Sequence, residues 1–392
     1  MSDLPDQSLP SNMHRFTLSI PMQSYRNRPP HANQQHQQQP AQPAPTARLK
    51  RPKEIACFSY DENHVYRADD SSIKYYYDPP LGASLSKGHP DKFVQLNDDE
   101  DEHLDGLLRT LTNLERGAHA GASAHYRLAG HPASDAAPAA EHSETTSDSA
   151  AAPGRRDVDL VAFRGMMTKL LTASYDRNAF RMNATCFQGT VFLEEDHGHK
   201  LAQRARQGKD RRERRGQPDM ELMTYWGYKF EALALLPRHW AETSREFIES
   251  REEHVVNNAA QFCSVVETGA GGVSAIIAGE VDGVWDCRPV DPSDPVHWIE
   301  LKTSAEIRND RDRDRFEEKL LKFWAQSFLL GVPRIIVGFR TNDMEGKLVK
   351  VQQFETTELP NLVKDRFGAC DRGRDVEDQP GSRCERNGSD KG

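Results

Sequence analysis

Gly227-Tyr228-Lys229-Phe230-Glu231, Gly279-Glu280-Val281-Asp282 and Ile299-Glu300-Leu301-Lys302-Thr303 decide the fold of this chain. Val273 to Trp285 and Val296 to Thr303 are each apolar enough to predict a central strand. Residues two apart on a strand share a face, so Glu280 lies with Asp282 and Glu300 with Lys302. Glu221 to Leu236, stopped by Pro237, predicts a helix carrying Glu231. Charge inside buried strands is costly unless a metal or partner compensates it. Four carboxylates beside one ammonium make a cup whose hard oxygen donors suit Mg²⁺ or Mn²⁺, and a lysine beside such ions suits phosphoryl transfer to water. Each piece taken alone also reads as an ordinary polar strand face. The joint arrangement carries the expectation of nuclease-type chemistry.

Outward from this centre, Arg315 to Leu330 predicts an amphipathic helix closed by Gly331, and Pro333 to Phe339 a further buried strand. Strand, strand, helix, strand implies an α/β fold with a mixed β-sheet core flanked by helices. Towards the N-terminus, Ile55 to Tyr60 and Lys74 to Tyr77 read as short strands, the second ended by Asp78-Pro79-Pro80. Apolar positions 104, 107, 108, 111 and 114 predict a helix. Val158 to Leu171 reads as another helix, Gly189 to Leu193 as a strand, and the basic run Arg204 to Arg215 as a loop.

The 392 residues are 36% hydrophobic and 28% charged, with a formal net charge of −9. A mean hydropathy of −0.77 predicts disordered segments diluting a folded region. Residues 1–50, with a Gln tract and a Pro/Ala tract, are expected as a disordered leader. A single domain over 54–365 is expected, interrupted by a low-complexity insertion at 117–156, with a disordered or aberrant tail at 366–392. The six cysteines show neither C-x-x-C pairs nor zinc-ligand spacing, which predicts no disulfide framework and a reducing compartment. No apolar run is long enough to span a bilayer and no secretory signal opens the chain, so an intracellular protein outside the membrane is expected. Net acidity argues against generic coating of nucleic acid. Local contact is open to Arg48–Lys53, which also reads as a nuclear import signal, and to Arg204–Arg215; both also read as solvated charged loops.

The span from Asp282 to Lys302 resembles the PD-(D/E)XK nuclease core. With it, Phe163-Arg164-Gly165-Met166-Met167-Thr168-Lys169-Leu170-Leu171, the Glu231, Glu280–Asp282 and Glu300–Lys302 blocks, and Lys319 to Leu329 resemble the DXO/Rai decapping nucleases. The N-terminal blocks Glu54 to Tyr60 and Glu102 to Leu108 add to the resemblance, which covers roughly 54–116 and 157–365. It implies a nuclear hydrolase that removes incomplete guanosine caps, 5′-triphosphates and NAD caps from RNA. It also implies a nuclear 5′→3′ exoribonuclease of the Rat/Xrn type as partner.

Position by position, the resemblance implies that Glu231, Glu280, Asp282 and Glu300, with the Leu301 main chain, hold Mg²⁺ or Mn²⁺. Glu280, Asp282, Glu300, Lys302 and Gln326 form the catalytic set. Glu102, Phe163, Arg164, Gly165 and Cys263, with Glu280, Lys302 and Gln326, line the substrate. Arg164 also reads as a helix-surface ion-pair partner, Cys263 as a small core residue, Glu102 as part of a solvated acidic run and Gln326 as a helix-face residue. The chain departs from the family at Phe163, where tryptophan is usual, at His64, where some members have arginine, and beyond Val363, where the family continues with an apolar helix and further strands. A non-catalytic stabilising subunit of such an exoribonuclease is the alternative reading, and a DNA-cutting PD-(D/E)XK nuclease a second.

Overall fold

The structure, a computed structural model, describes residues 13–20, 49–116, 158–176, 178–212, 218–291 and 294–362. In chain order these form β1 (Met13–Ile20), β2 (Leu49–Tyr60), β3 (Tyr66–Arg67), β4 (Tyr75–Tyr76), β5 (Phe93–Val94), α1 (Asp105–Glu115), β6 (Leu160–Phe163), α2 (Arg164–Thr172), β7 (Phe180–Phe187), β8 (Thr190–Glu195) and α3 (His197–Arg212). There follow α4 (Met220–Ala234), β9 (Leu235–Leu236), α5 (Arg245–Glu249), β10 (Val256–Asn257), β11 (Gln261–Ala270), β12 (Val273–Glu280), β13 (Gly283–Val284), β14 (Trp298–Ala305), α6 (Asp310–Leu330), β15 (Arg334–Arg340) and β16 (Leu348–Glu355).

Two mixed sheets among the described residues carry the fold, where the sequence implied one. The larger runs β1-β7-β8-β6-β12-β11-β2-β3 and the smaller β16-β15-β14-β13-β4-β9. β12 is central, parallel to β6 and antiparallel to β11. β14 is likewise flanked, antiparallel to β13 and parallel to β15. The chain crosses between the sheets at Val281-Asp282. β12 ends at Glu280 and β13 starts at Gly283, so the single strand expected over Val273 to Trp285 is broken at Asp282. Gly283 has a steric reason at this crossing: a Cβ there would stand 2.7 Å from Leu235 Cδ2 and 3.0 Å from the Lys74 carbonyl oxygen.

One apolar cluster joins the two sheets. Cys57, Phe262, Val266 and Ile277 of the larger sheet pack with Val284 and Trp298 of the smaller and with Leu329 and Leu330 of α6. The amphipathic α6 therefore bridges both sheets, and its earlier and middle turns bury Phe316, Leu320 and Phe323 with Ile335, Val337 and Phe339 of β15. Each such side chain contributes about 1.5–3 kcal/mol on burial. Local chemistry fixes the ends of α6. Asn309 caps its start by accepting the Asp312 N–H at 3.0 Å. Gly331 at φ 70° lets the Val332 N–H return to the Ser327 carbonyl at 2.9 Å, the left-handed stop that glycine permits. On the other face of β14, α4 packs Trp226, Phe230 and Leu233 with Ile299, Leu301 and Ile336.

Several expectations are corrected. Val158 to Leu171 is not one helix: Leu160–Phe163 is a strand between β12 and β8, and α2 starts at Arg164. A short apolar run fits either period, and burial on both sides selected the strand. The basic run enters a helix, α3, rather than a loop, since Lys, Arg, Gln and Ala are good helix formers whatever their charge. Inside the expected leader, Met13–Ile20 pairs with β7, and β2 begins at Leu49 rather than near Glu54. The 117–156 insertion and the 366–392 tail lie outside the described residues.

Gly338 of β15 faces the fully buried Phe230 ring, and an added Cβ would stand 2.6 Å from its Cε2. Gly338→Ala is expected to destabilise the fold by about 1–3 kcal/mol through overpacking. Urea unfolding followed by tryptophan fluorescence measures it, and an unchanged midpoint would contradict the contact.

Candidate active site

Glu300 sits on β14 with no solvent exposure. Its carboxylate is held from two sides: Arg164 Nη1 donates to Oε2 at 2.7 Å and Lys302 Nζ donates to Oε1 at 2.5 Å. The first partner opens α2 and the second lies two residues along β14, on the same face as expected. A neighbouring tie comes from the strand itself, where the Leu301 N–H donates to Asp282 Oδ2 at 2.5 Å. Asp282 is thereby anchored to β14 although it lies in no strand. Its shared side with Glu280 therefore does not come from strand alternation, as the sequence had suggested.

Charge is crowded here. Burial and then Glu300 push the Asp282 carboxyl up to about 7, against the pull of Lys302. Burial followed by the charges of Asp282 and Glu280 drives Glu231, on α4, well above the usual carboxylate range. Glu280 is raised by burial in spite of Lys74 and Arg164. Glu300 behaves oppositely: burial works against its charge, yet Arg164 and Lys302 hold it below the ordinary value. The two cations are in turn held above their usual values by Glu300 and Asp282, with burial opposing. The structure thus brings Glu231, Glu280, Asp282, Glu300, Lys302 and Arg164 into one electrostatic group.

Cys263 lies opposite Glu280 in the β11–β12 register and is buried. Burial and then Glu280 push its thiol well up. Phe163 packs into the same core cluster as Cys263. At Gly165 a Cβ would meet nothing within 4 Å, so no packing demand explains that glycine. Glu102 pairs with His64 at 2.6 Å. Gln326 is half-buried on α6, and no hydrogen bond joins it to the cup among the described residues. Of the basic stripe on α6, Lys319 donates to Ser304 Oγ at 3.1 Å, while Lys322 is exposed.

Lys74 was missed from the sequence. Its charge is the first to oppose burial at Glu280 and the first cation acting on Glu231. Its carbonyl accepts the Val284 N–H at 2.9 Å, one strand-start beyond Asp282. Only the sheet crossing brings it there, so no local motif could have marked it.

The carboxylates Glu231, Glu280, Asp282 and Glu300 fit a divalent cation by donor chemistry. All four are oxygen donors, and three of them have their carboxyls raised by burial and by neighbouring carboxylates, a cost that a bound cation relieves. As the side chains stand, no group of three or more His, Cys, Asp or Glu among the described residues is gathered as a closed metal cage. Arg164 and Lys302 take the Glu300 oxygens instead.

An acid at a sheet crossing, an acid-x-Lys strand beside it and a further acid on a packed helix are the layout of a PD-(D/E)XK nuclease. The model of one such family, described as RAI1-like PD-(D/E)XK nuclease, matches residues 50–375, and the chain belongs to that family. The decapping nuclease RAI1 of Gibberella zeae is 48% identical over 318 residues, 80% of this chain and 74% of that one. Among solved structures, Candida albicans Rai1 in complex with pU5-Mn²⁺ matches with a TM-score of 0.67 and 30% identity, over 82% of this chain and 76% of that one. Scheffersomyces stipitis Rai1 in complex with (3′-NADP)⁺ and calcium ion matches at 0.64 and 31%, over 81% and 79%. No helix of the described residues is long and apolar enough to cross a membrane.

Raised carboxyls favour the protonated folded state, so stability of the metal-free chain falls as pH rises from the ordinary aspartate value, near 4, to about 7. The unfolded chain has already lost that proton while the folded chain still holds it. Thermal melts with chelator across this window are expected to show the fall, and Asp282→Asn to flatten it. A slope equal in wild type and variant would contradict the assignment.

Proposed function

We propose that this chain is a divalent-metal-dependent hydrolase of RNA 5′ ends that removes incompletely methylated guanosine caps, 5′-triphosphates and NAD caps. The observation that carries it is the buried Glu300 clamped by Arg164 and Lys302 within a group of three further carboxylates. The names of the relatives support it: decapping nuclease for the Gibberella protein, an oligouridylate with Mn²⁺ in the Candida structure, a dinucleotide with calcium in the Scheffersomyces one.

Glu231, Glu280, Asp282 and Glu300, with the Leu301 main chain, would hold Mg²⁺ or Mn²⁺, which supplies an activated hydroxide and neutralises phosphate charge. Lys302, already charged and aimed at Glu300, supplies the cation for charge that develops on the phosphoryl oxygens. Arg164 fixes Glu300 through Oε2 and leaves its other oxygen to Lys302. Gln326 stands on α6 to orient water. A Cβ at Gly165, in the first turn of α2, would meet nothing within 4 Å, and by the family resemblance the 5′ nucleotide would be lined by Gly165 with Phe163, Cys263 and Glu102.

Localisation in the nucleus, and hand-over of the 5′-monophosphate product to an exoribonuclease of the Rat/Xrn type, belong to the same reading. Their support is the family resemblance, together with the basic Arg48–Lys53 stretch for import.

The test is Mn²⁺-dependent hydrolysis of 5′-triphosphate, unmethylated-cap and NAD-capped RNAs. A Glu280→Ala, Asp282→Ala double variant is expected to lose at least about 100-fold in activity. Full activity in that variant, or cleavage of duplex DNA in preference to RNA 5′ ends, would overturn the proposal.

A further inference from the structure

Two buried cations lie behind the cup without a carboxylate of their own. Lys229, two residues before Glu231 on α4, has no exposed surface, and Arg251, in the single helical turn Arg251–Glu253 after α5, is 5% exposed. Neither forms an ion pair with a carboxylate among the described residues, and burial works against both charges. Glu252 and Glu253, the acids that act on Lys229, are taken up by two other lysines. Lys87 Nζ lies 2.5 Å from Glu253 Oε1 and 3.6 Å from Glu252 Oε2, and Lys92 Nζ lies 3.2 Å from Glu253 Oε2. A buried charge is costly where an apolar side chain would fill the space, so these two call for a role beyond packing.

Both cations bond main-chain carbonyls, and the two sets of bonds interlock. Lys229 Nζ donates to the Glu252 carbonyl at 2.7 Å. In return Arg251 Nη1 donates to the Leu233 carbonyl, one turn beyond Lys229 on the same face of α4. That carbonyl belongs to the last turn of the helix, where partners within the helix run out. Its neighbour, the Ala234 carbonyl, accepts the Tyr77 N–H at 2.9 Å. The guanidinium reaches further: Nε donates to the Ile248 carbonyl at 2.8 Å, Nη1 also to that of Tyr77 at 3.3 Å, and Nη2 to that of Asp78 at 3.1 Å. Its face covers the Tyr77 ring, 4.9 Å from the centroid. Arg251 thus joins α5, the end of α4 and the chain just past β4.

We infer that Arg251 and Lys229 are positioning residues that set the gap between Glu231 and Asp282, and through it the affinity of the cup for a divalent ion. This deepens the proposed function and rests on its metal reading. Glu231 lies roughly 200° around α4 from Lys229, so the helix is pinned on the side away from the cup while Glu231 meets the charges of Asp282 and Glu280. At the other end, the Tyr77 and Asp78 carbonyls follow β4, whose Tyr75 pairs with Val284, and the Lys74 carbonyl just before it accepts the Val284 N–H. That strand, β13, starts at Gly283, directly after Asp282. One guanidinium therefore spans the helix that carries Glu231 and the ladder that follows Asp282.

Packing alone leaves that gap loose. Trp226, Phe230 and Leu233 hold α4 on β14, but apolar contact is non-directional and fixes the separation of two elements better than their slide. Directional bonds at the last turn stop α4 from moving along its axis. A shift of a fraction of an ångström there displaces Glu231 equally, and a ligand set tolerates little of it. The planar fork of arginine meets its carbonyls at fixed angles, which a lysine at position 251 cannot do. Neither cation touches an ion or a reacting atom in this scheme; both act through Glu231.

The experiment is calorimetric titration of Mn²⁺ into the purified chain, with thermal melts in chelator to establish that each variant is folded. Arg251→Lys keeps the charge and loses the fork, and Lys229→Met keeps the bulk and loses the bond. Each is expected to raise the Mn²⁺ Kd roughly tenfold. The Mn²⁺ concentration that half-activates hydrolysis of 5′-triphosphate RNA is expected to move by the same factor, while kcat at saturating Mn²⁺ returns close to the wild-type value. In a Glu231→Gln background neither change is expected to move Kd further, because the ligand they position has been removed. An unchanged Kd in the folded variants, a lower kcat at unchanged Kd, or a Kd shift equal with and without Glu231, the sign of general loosening, would overturn the inference. Wild-type chain that takes up Mn²⁺ without hydrolysing RNA would instead overturn the decapping reading, while calorimetry still decides whether Arg251 and Lys229 set the cup. No uptake of Mn²⁺ by the wild type would overturn both.

Discussion

A carboxylate with no exposed surface, clasped by two cations, is the constraint on which the rest of the molecule depends. Glu300 lies inside a strand, and its charge is tolerable only because Arg164 and Lys302 meet both of its oxygens. Breaking one side of such a pair typically costs about 3–5 kcal/mol, because the remaining charge is left buried and unmatched. The clasp also dictates architecture. Arg164 must open α2 beside β12, and Lys302 must share a face of β14 with Glu300. The two sheets that carry these elements must therefore stay in fixed relation.

The sheets are held together at the point where the acids are gathered. The chain leaves β12 at Glu280, places Asp282 in the gap, and enters β13 at Gly283 under the Lys74 carbonyl. The Leu301 N–H ties Asp282 across to β14, and α6 packs against both sheets with Leu329 and Leu330. Stability and function pull apart here. The apolar cluster of Val284, Trp298, Phe262 and Ile277 lies next to carboxyls whose mutual repulsion and burial strain their ionised state. Such local conflict inside an otherwise consistent fold marks a functional site.

The centre of this arrangement was legible in the sequence because it is written in short-range spacing. Acid-x-Lys in an apolar run announces β14, and Glu231 follows from the helical pattern that ends at Pro237. Less was legible where long-range pairing decides. Leu160–Phe163 fits a helix as well as a strand until β12 and β8 are placed on either side of it. The division into two sheets, with Asp282 at the crossing rather than in a strand, has no local signature. Lys74 and Arg251 likewise gain their meaning only from partners far along the chain, Val284 and Glu280 for one, Tyr77 and Asp78 for the other.

Three carboxyls raised by burial and by one another, beside a fourth already matched by protein cations, describe a site whose charge is balanced only in part by the chain itself. The central claim is that a divalent ion completes that balance. Anomalous diffraction from crystals soaked in Mn²⁺ tests it most directly. The account predicts Mn²⁺ density bounded by Glu231, Glu280, Asp282 and Glu300, with Lys302 or Arg164 withdrawn from a Glu300 oxygen that has turned to the metal. Saturating Mn²⁺ that leaves the cup empty and the Arg164–Glu300–Lys302 clasp intact would contradict it.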